Sequence, residues 1–105
     1  MNHPDMRNEP RFRVLIVDDD VTFVADLSAL ISRQFEVGVA YDSKGALEQV
    51  TALKPDVVLL DITMEGTYDG FDVLEKIRAL ERGPEVIMLT GIREMDAVVR
   101  AIKGG

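Results

Sequence analysis

Oxygen-bearing side chains stand directly after three short apolar segments of this chain. They are four carboxylates and one hydroxyl: Asp18, Asp19, Asp20, Asp61 and Thr90. Carboxylates held close together repel one another, which raises their pKa values unless a cation relieves the repulsion. Mg²⁺ suits such a site, because it prefers oxygen ligands and keeps waters for a phosphate-type ligand. An aspartate beside that metal can act as a nucleophile and become an aspartyl phosphate, and Thr90 could donate its hydroxyl to a phosphoryl oxygen.

The apolar segments before these residues are typical of parallel strands buried on both faces. Residues 14–17, 57–60 and 86–89 are short and apolar, and each run leads into a segment with helical periodicity. In an open α/β sheet the C-terminal ends of the strands share one edge, where ligands bind. The sequence therefore predicts that Asp18 and Asp61 meet at that edge, although 43 residues separate them.

The whole chain alternates strand and helix patterns four times, with right-handed crossovers expected. The predicted strands are 12–17, 35–40, 56–60 and 85–89, and the predicted helices are 21–33, 43–53, 71–80 and 92–102. Asp20 is interpreted as an N-cap, as is Ser43, and Lys54-Pro55 should end the second helix. Residues 62–70 are predicted to form a loop.

Helical spacing predicts which side chains of the first and third helices face the core. For the first helix these are Phe23, Val24, Leu27, Leu30 and Ile31. For the third they are Phe71, Leu74, Ile77 and Leu80.

Composition favours a single soluble domain. The chain has 105 residues, of which 47% are hydrophobic, a net charge of −7 and no cysteine. A loose tail over 1–10 and one domain over 11–105 are expected. The scattered Lys and Arg residues argue against a nucleic-acid surface, and the apolar runs are too short to span a membrane. With no signal pattern at the N-terminus, we expect a cytoplasmic protein.

Four motifs together resemble the receiver domain of two-component response regulators. They are Ile-Val-Asp-Asp-Asp at 16–20, Pro-Asp-Val-Val-Leu-Leu-Asp-Ile-Thr-Met at 55–64, Asp-Gly-Phe at 69–71 and Leu-Thr-Gly at 89–91. The resemblance implies a flavodoxin-like, doubly wound parallel sheet of strand order 2-1-3-4. The family's fifth strand and fifth helix are expected to be missing, so that the domain over 11–105 would be incomplete at its C-terminus.

The resemblance also implies a role for each site residue. Asp61 would accept a phosphoryl group from a histidine kinase or a histidine phosphotransfer protein. Asp19 and Asp61 would bind Mg²⁺ with the main-chain carbonyl of Thr63, and Asp18 would assist, partly through a metal-bound water. Thr90 would be the switch hydroxyl, and an output domain could follow Gly105.

The sequence departs from the family pattern in three places. Glu65 stands where the family usually has proline, and the loop 65–68 is one residue longer than usual. The lysine that pairs with the phosphoryl group in the family has no counterpart. Lys103 does not replace it, since it lies 13 residues past Thr90 at the far end of a predicted helix, about 15 Å or more away.

Two other functions fit parts of the sequence pattern. A phosphatase of the haloacid-dehalogenase type would use Asp18-x-Asp20, but it needs a lysine and an acidic pair downstream and leaves Asp61 unexplained. A pseudo-receiver, an interaction module that no longer needs phosphorylation, is the stronger alternative because the lysine is missing. Without a fifth strand, the apolar run 86–89 would also form a sheet edge that favours self-association.

Overall fold

A computed structural model of the chain describes residues 11–62, 64 and 69–89. Within them the elements alternate strand and helix in the predicted order. They are β1 (Arg13–Val17), α1 (Val21–Ile31), β2 (Glu36–Ala40), α2 (Ser43–Leu53), β3 (Val57–Asp61), α3 (Asp69–Arg78) and β4 (Glu85–Leu89). The predicted helix 92–102 and the tail 1–10 lie outside the described residues.

The four strands form one parallel sheet in the order β2-β1-β3-β4, which confirms the doubly wound arrangement. In the register of β1 and β3, Val17 pairs with Leu60. Each strand thus ends within one residue of the same level. This register decides which side chains can meet at the C-terminal edge.

Both faces of β1 are buried, as the continuous apolar run predicts. Leu15 and Val17 face a core shared with α2 and α3, whereas Val14 and Ile16 face a second core shared with α1. The central strands therefore pack against helices on both faces. The sheet edge that carries the acidic residues lies next to this packed interior.

The core faces of two helices are narrower than predicted. On α1 the contact runs through Val24, Leu27 and Ile31, while Phe23 and Leu30 are exposed. Both sets have helical spacing, so spacing alone does not decide which of them faces the sheet.

Likewise α3 buries Val73 and Ile77, with Leu74 partly buried against the same core. The prediction that Phe71 and Leu80 belong to that face is wrong, since both are exposed.

The start of α2 also differs from the prediction. Asp42, not Ser43, is the N-cap: its backbone is extended and its Oδ1 accepts a hydrogen bond of 2.7 Å from the Gly45 N–H. Ser43 is the first helical residue. The predicted end is confirmed, because Leu53 closes the helix and Lys54 adopts a left-handed conformation, with φ of 53°, before Pro55.

β4 lies at one edge of the described sheet. It pairs with β3, and Ile87 exposes 53% of its surface. Self-association through this strand stays a prediction.

The helices of the described residues differ from a membrane span in length or in hydropathy, and none of them meets both requirements.

The cap at Asp42 can be tested against its neighbour. Asp42→Ala removes the acceptor for the Gly45 N–H and should lower the free energy of unfolding by about 1 kcal/mol. Ser43→Ala should cost only a few tenths of a kcal/mol at most, because alanine is favourable inside a helix. Urea unfolding followed by circular dichroism measures both, and a larger loss for Ser43→Ala would contradict the assignment.

Candidate functional site

The turn after β1 gives its three aspartates different surroundings. The Asp18 N–H donates to the Ala40 carbonyl at 3.1 Å, which continues the ladder with β2 one residue past the strand. Asp18 Oδ1 accepts from the Asp20 N–H at 2.9 Å. Asp20 Oδ1 in turn accepts from the Phe23 N–H at 3.0 Å and caps α1. The interpretation of Asp20 as an N-cap is therefore correct.

Asp61 is the last residue of β3 and is buried, with 8% of its surface exposed. Because Val17 pairs with Leu60, the residues that follow them, Asp18 and Asp61, lie at the same level. On the other side Leu89 of β4 pairs with Asp61. The parallel register thus sets Asp61 between the two neighbouring strand ends.

Asp18, Asp19 and Asp61 form one cluster. A carboxylate oxygen from each lies within 4.8 Å of those from the other two. Asp61 is buried and Asp19 is exposed, so the cluster opens to solvent on one side. Three oxygen donors of this kind suit a small, hard divalent cation that retains part of its water shell. The donor set therefore fits Mg²⁺.

Burial and the neighbouring carboxylates both affect the pKa of Asp18. The pKa of Asp18 is raised to about 6, above all because burial penalises the charged carboxylate. The negative charges of Asp61, Asp19 and Asp20 also raise it, whereas the hydrogen bond from the Asp20 N–H lowers it. A bound cation would oppose the effects of burial and of the neighbouring negative charges, and would favour the ionised form of Asp18.

The structure brings together three of the residues that the sequence singles out and leaves one apart. Asp20 serves α1 as its cap and does not belong to the cluster. Thr63 and Thr90 lie outside the described residues, so their assigned roles stay predictions. Met64 is fully buried in the core shared with α2 and α3.

One feature near the acidic cluster was missed by the sequence reasoning. α3 begins at Asp69, so Asp69 and Gly70, predicted to end the loop, form its first turn. The Gly70 N–H donates to the Ile62 carbonyl at 3.0 Å, and this glycine is buried. A glycine at the start of a predicted helix was the available signal for such a close approach.

A second concave region lies at the opposite end of the strands. This groove of about 580 Å³ is lined by Lys54, Asp56 and Arg82, among other residues of the α2–β3 and α3–β4 connections. Its charges are of both signs, and it is remote from the carboxylate cluster because it lies beside the beginnings of β3 and β4.

Known proteins with similar sequences are response regulators. The chain is 36% identical over 94 residues to the transcriptional regulatory protein PrrA of Mycobacterium leprae, covering 89% of this chain and 40% of that protein. It is 35% identical over 96 residues to the DNA-binding response regulator MtrA of Mycobacterium tuberculosis, covering 90% and 41%. The chain thus spans about two fifths of the length of these relatives.

Similar solved structures include receiver domains. The receiver domain of NtrX from Brucella abortus has a TM-score of 0.70 at 30% identity, covering 88% of this chain and 78% of that one. A CheY-like response regulator receiver domain from Methanospirillum hungatei has a TM-score of 0.67, also at 30% identity, covering 90% and 76%. The family described as "Response regulator receiver domain" matches residues 14–105. With the parallel sheet and the carboxylates at its edge, this match shows that the chain belongs to the response regulator receiver domain family.

Proposed function

We propose that Asp61 accepts a phosphoryl group from the phosphohistidine of a histidine kinase or histidine phosphotransfer protein in two-component signalling. The observation that carries the proposal is the meeting of Asp18, Asp19 and Asp61 within 4.8 Å at the end of the parallel strands. In the reaction an Asp61 oxygen attacks phosphorus, the phosphorus–nitrogen bond breaks, and histidine leaves as the neutral imidazole after taking up a proton.

Asp61 is the acceptor because its position differs from those of its two acidic neighbours. It is buried at the end of β3, between the ends of β1 and β4. Asp18 has one oxygen engaged by the Asp20 N–H, and Asp19 is exposed. A fixed nucleophile in a partly closed site lowers the entropic part of the barrier.

Mg²⁺ would be held by Asp19, Asp61 and the main-chain carbonyl of Thr63, with Asp18 assisting through a water. When bound, it supplies positive charge that neutralises the transferring phosphoryl group. The protein side chains arrange the site: Asp18 and Asp19 complete the oxygen set, and Asp61 presents its carboxylate to the donor. Thr90, the residue after Leu89, would donate its hydroxyl to the phosphoryl group and serve as the switch.

The proposed biological setting is the cytoplasm, with the domain acting in signalling. It assists its own phosphorylation and would pass a conformational change to an output domain beyond residue 105. The similar proteins MtrA, a DNA-binding response regulator, and PrrA, a transcriptional regulatory protein, support an output of that kind. The receiver domain itself would make no direct contact with nucleic acid.

A pseudo-receiver is less well supported. A module that no longer needs phosphorylation would not require three carboxylates to cluster. Their proximity is unfavourable, because the negative charges of Asp61 and Asp19 add to the effect of burial in raising the pKa of Asp18. The departures at Glu65 and in the loop 65–68 lie outside the described residues.

Mg²⁺ should stabilise the folded protein by mass action. At about ten times the dissociation constant the gain is about 1.4 kcal/mol, which raises the melting temperature by roughly 5–10 °C in a domain of this size. Asp19→Asn should remove most of this shift. Asp20→Asn is the matched control, because it removes the same charge one residue away and asparagine still caps α1. Equal shifts in the two variants would refute the ligand assignment.

Asp61 should be the sole phosphoacceptor. Incubation with acetyl phosphate and Mg²⁺ should add one phosphoryl group, detected as a mass increase, and Asp61→Asn should abolish it. Asp56→Asn, at the far end of the same strand, should label like the wild type. A label that maps to another aspartate would contradict the proposal, and turnover of acetyl phosphate without an adduct would indicate a phosphatase.

The raised pKa of Asp18 makes metal-free stability depend on pH. The folded state holds this proton more tightly than the unfolded state, so Asp18 contributes stability below pH 4 that is lost as the pH rises through about 6. Asp18→Asn should lack this decline, because asparagine does not ionise. Urea unfolding in EDTA between pH 4.5 and 7 measures the difference between the two proteins, and parallel curves would contradict the shift.

A further inference from the structure

The first turn of α3 packs directly against the backbone that leaves β3. Gly70 is buried there, and its N–H donates to the Ile62 carbonyl at 3.0 Å. Ile62 is the residue after the proposed phosphoacceptor. The start of α3 and the Asp61–Ile62 peptide are therefore in contact through main-chain atoms.

This contact leaves no room for a side chain at position 70. A Cβ atom on Gly70 would lie 2.6 Å from Ile62 Cα and 2.7 Å from Ile62 O, and closer still to Asp61 O. All three are backbone atoms, which cannot rotate away as the end of a flexible side chain can. Gly70 lies in a right-handed helix, so the requirement for glycine here is one of space.

The other described glycines differ from Gly70 in what a Cβ would meet or in where they lie. A Cβ on Gly38 would meet side-chain atoms, the nearest being Leu53 Cδ2, and one on Gly45 would meet the Asp42 side chain at 3.0 Å. Gly83 is the useful comparison, since its Cβ would lie 2.8 Å from the backbone oxygen of Ile77. That contact is beside the beginning of β4, at the opposite end of the sheet from the carboxylates.

We propose that Gly70 is a positioning residue for the phosphoryl site, an inference that rests on the proposed function. Because Gly70 has no side chain, the first turn of α3 can pack directly against the Asp61–Ile62 peptide. This contact fixes the Asp61 carboxylate relative to Asp18 and Asp19. A methyl group at position 70 moves that peptide, and with it both the nucleophile and the chain that continues to Thr63. A misplacement of about 1 Å in such a site can reduce a rate on the order of 100-fold.

The test compares Gly70→Ala with Gly83→Ala, since each adds one methyl group against backbone. Circular dichroism and urea unfolding first establish the temperature at which both variants are folded. The rate of labelling by acetyl phosphate at saturating Mg²⁺ and the Mg²⁺ dissociation constant are then measured at that temperature. Gly70→Ala should slow labelling by on the order of 10- to 100-fold and weaken Mg²⁺ binding, whereas Gly83→Ala should match the wild type in both.

Labelling and Mg²⁺ affinity of Gly70→Ala that equal those of Gly83→Ala would overturn the inference. If the wild type itself is not labelled, the proposed function fails, and the Mg²⁺ constants of the two variants still decide whether Gly70 positions the carboxylates.

A measurement on the wild type keeps the inference falsifiable if Gly70→Ala does not fold. In an NMR titration with Mg²⁺, the Gly70 amide resonance should shift with the same midpoint as that of Ile62, because its N–H is bonded to the Ile62 carbonyl. A Gly70 amide that stays unchanged while Ile62 shifts would overturn the proposal.

Discussion

Electrostatic repulsion among Asp18, Asp19 and Asp61 is the constraint on which the rest of this structure depends. Like charges a few ångströms apart in a partly buried site disfavour each other's ionisation, and they add to the effect of burial in raising the pKa of Asp18. The fold holds the carboxylates together nonetheless. It does so through the parallel register of β1 and β3, in which every main-chain hydrogen bond of the ladder resists a relative shift of the two strand ends.

Packing on both faces of the sheet makes that register secure. The side chains of β1 alternate between two cores, one closed by α1 and the other by α2 and α3. A slip of one residue would exchange the two sets and leave Leu15 and Ile16 facing the wrong helices. The repulsion at the strand ends is therefore balanced by apolar burial elsewhere in the strands, which is why a protein can keep a locally unfavourable site for the sake of its chemistry.

How far the sequence predicts this structure depends on the range of the interactions involved. Short apolar runs predicted the strands, because a strand buried on both faces is apolar at successive positions. The aspartates that follow two of these runs predicted the meeting of Asp18 with Asp61. The exact faces of α1 and α3 were not predictable in the same way. Leu30 and Phe71 have the right spacing for a core position, yet whether such a residue is covered depends on the angle at which its helix crosses the sheet.

The N-cap of α2 and the role of Gly70 could not be decided from the sequence either, because both depend on backbone geometry. Asp42 and Ser43 are adjacent and both are good N-caps, so only the backbone geometry distinguishes them. Gly70 was visible as part of a motif, but its role depends on a contact with the end of β3 that no single-sequence pattern encodes. Residues 63 and 90, which the family resemblance assigns to the site, lie outside the described part of the chain.

The turn between β1 and α1 has a consequence for how this chain can evolve. Between the end of β1 at Val17 and the start of α1 at Val21, a continuous series of hydrogen bonds runs from Asp18 through Asp20 to Phe23. An inserted or deleted residue in this segment would uncouple the helix cap from the carboxylate that faces Asp61. The turn can tolerate substitution but not a change in length. It should therefore keep a constant number of residues among related chains, while their other connections vary in length.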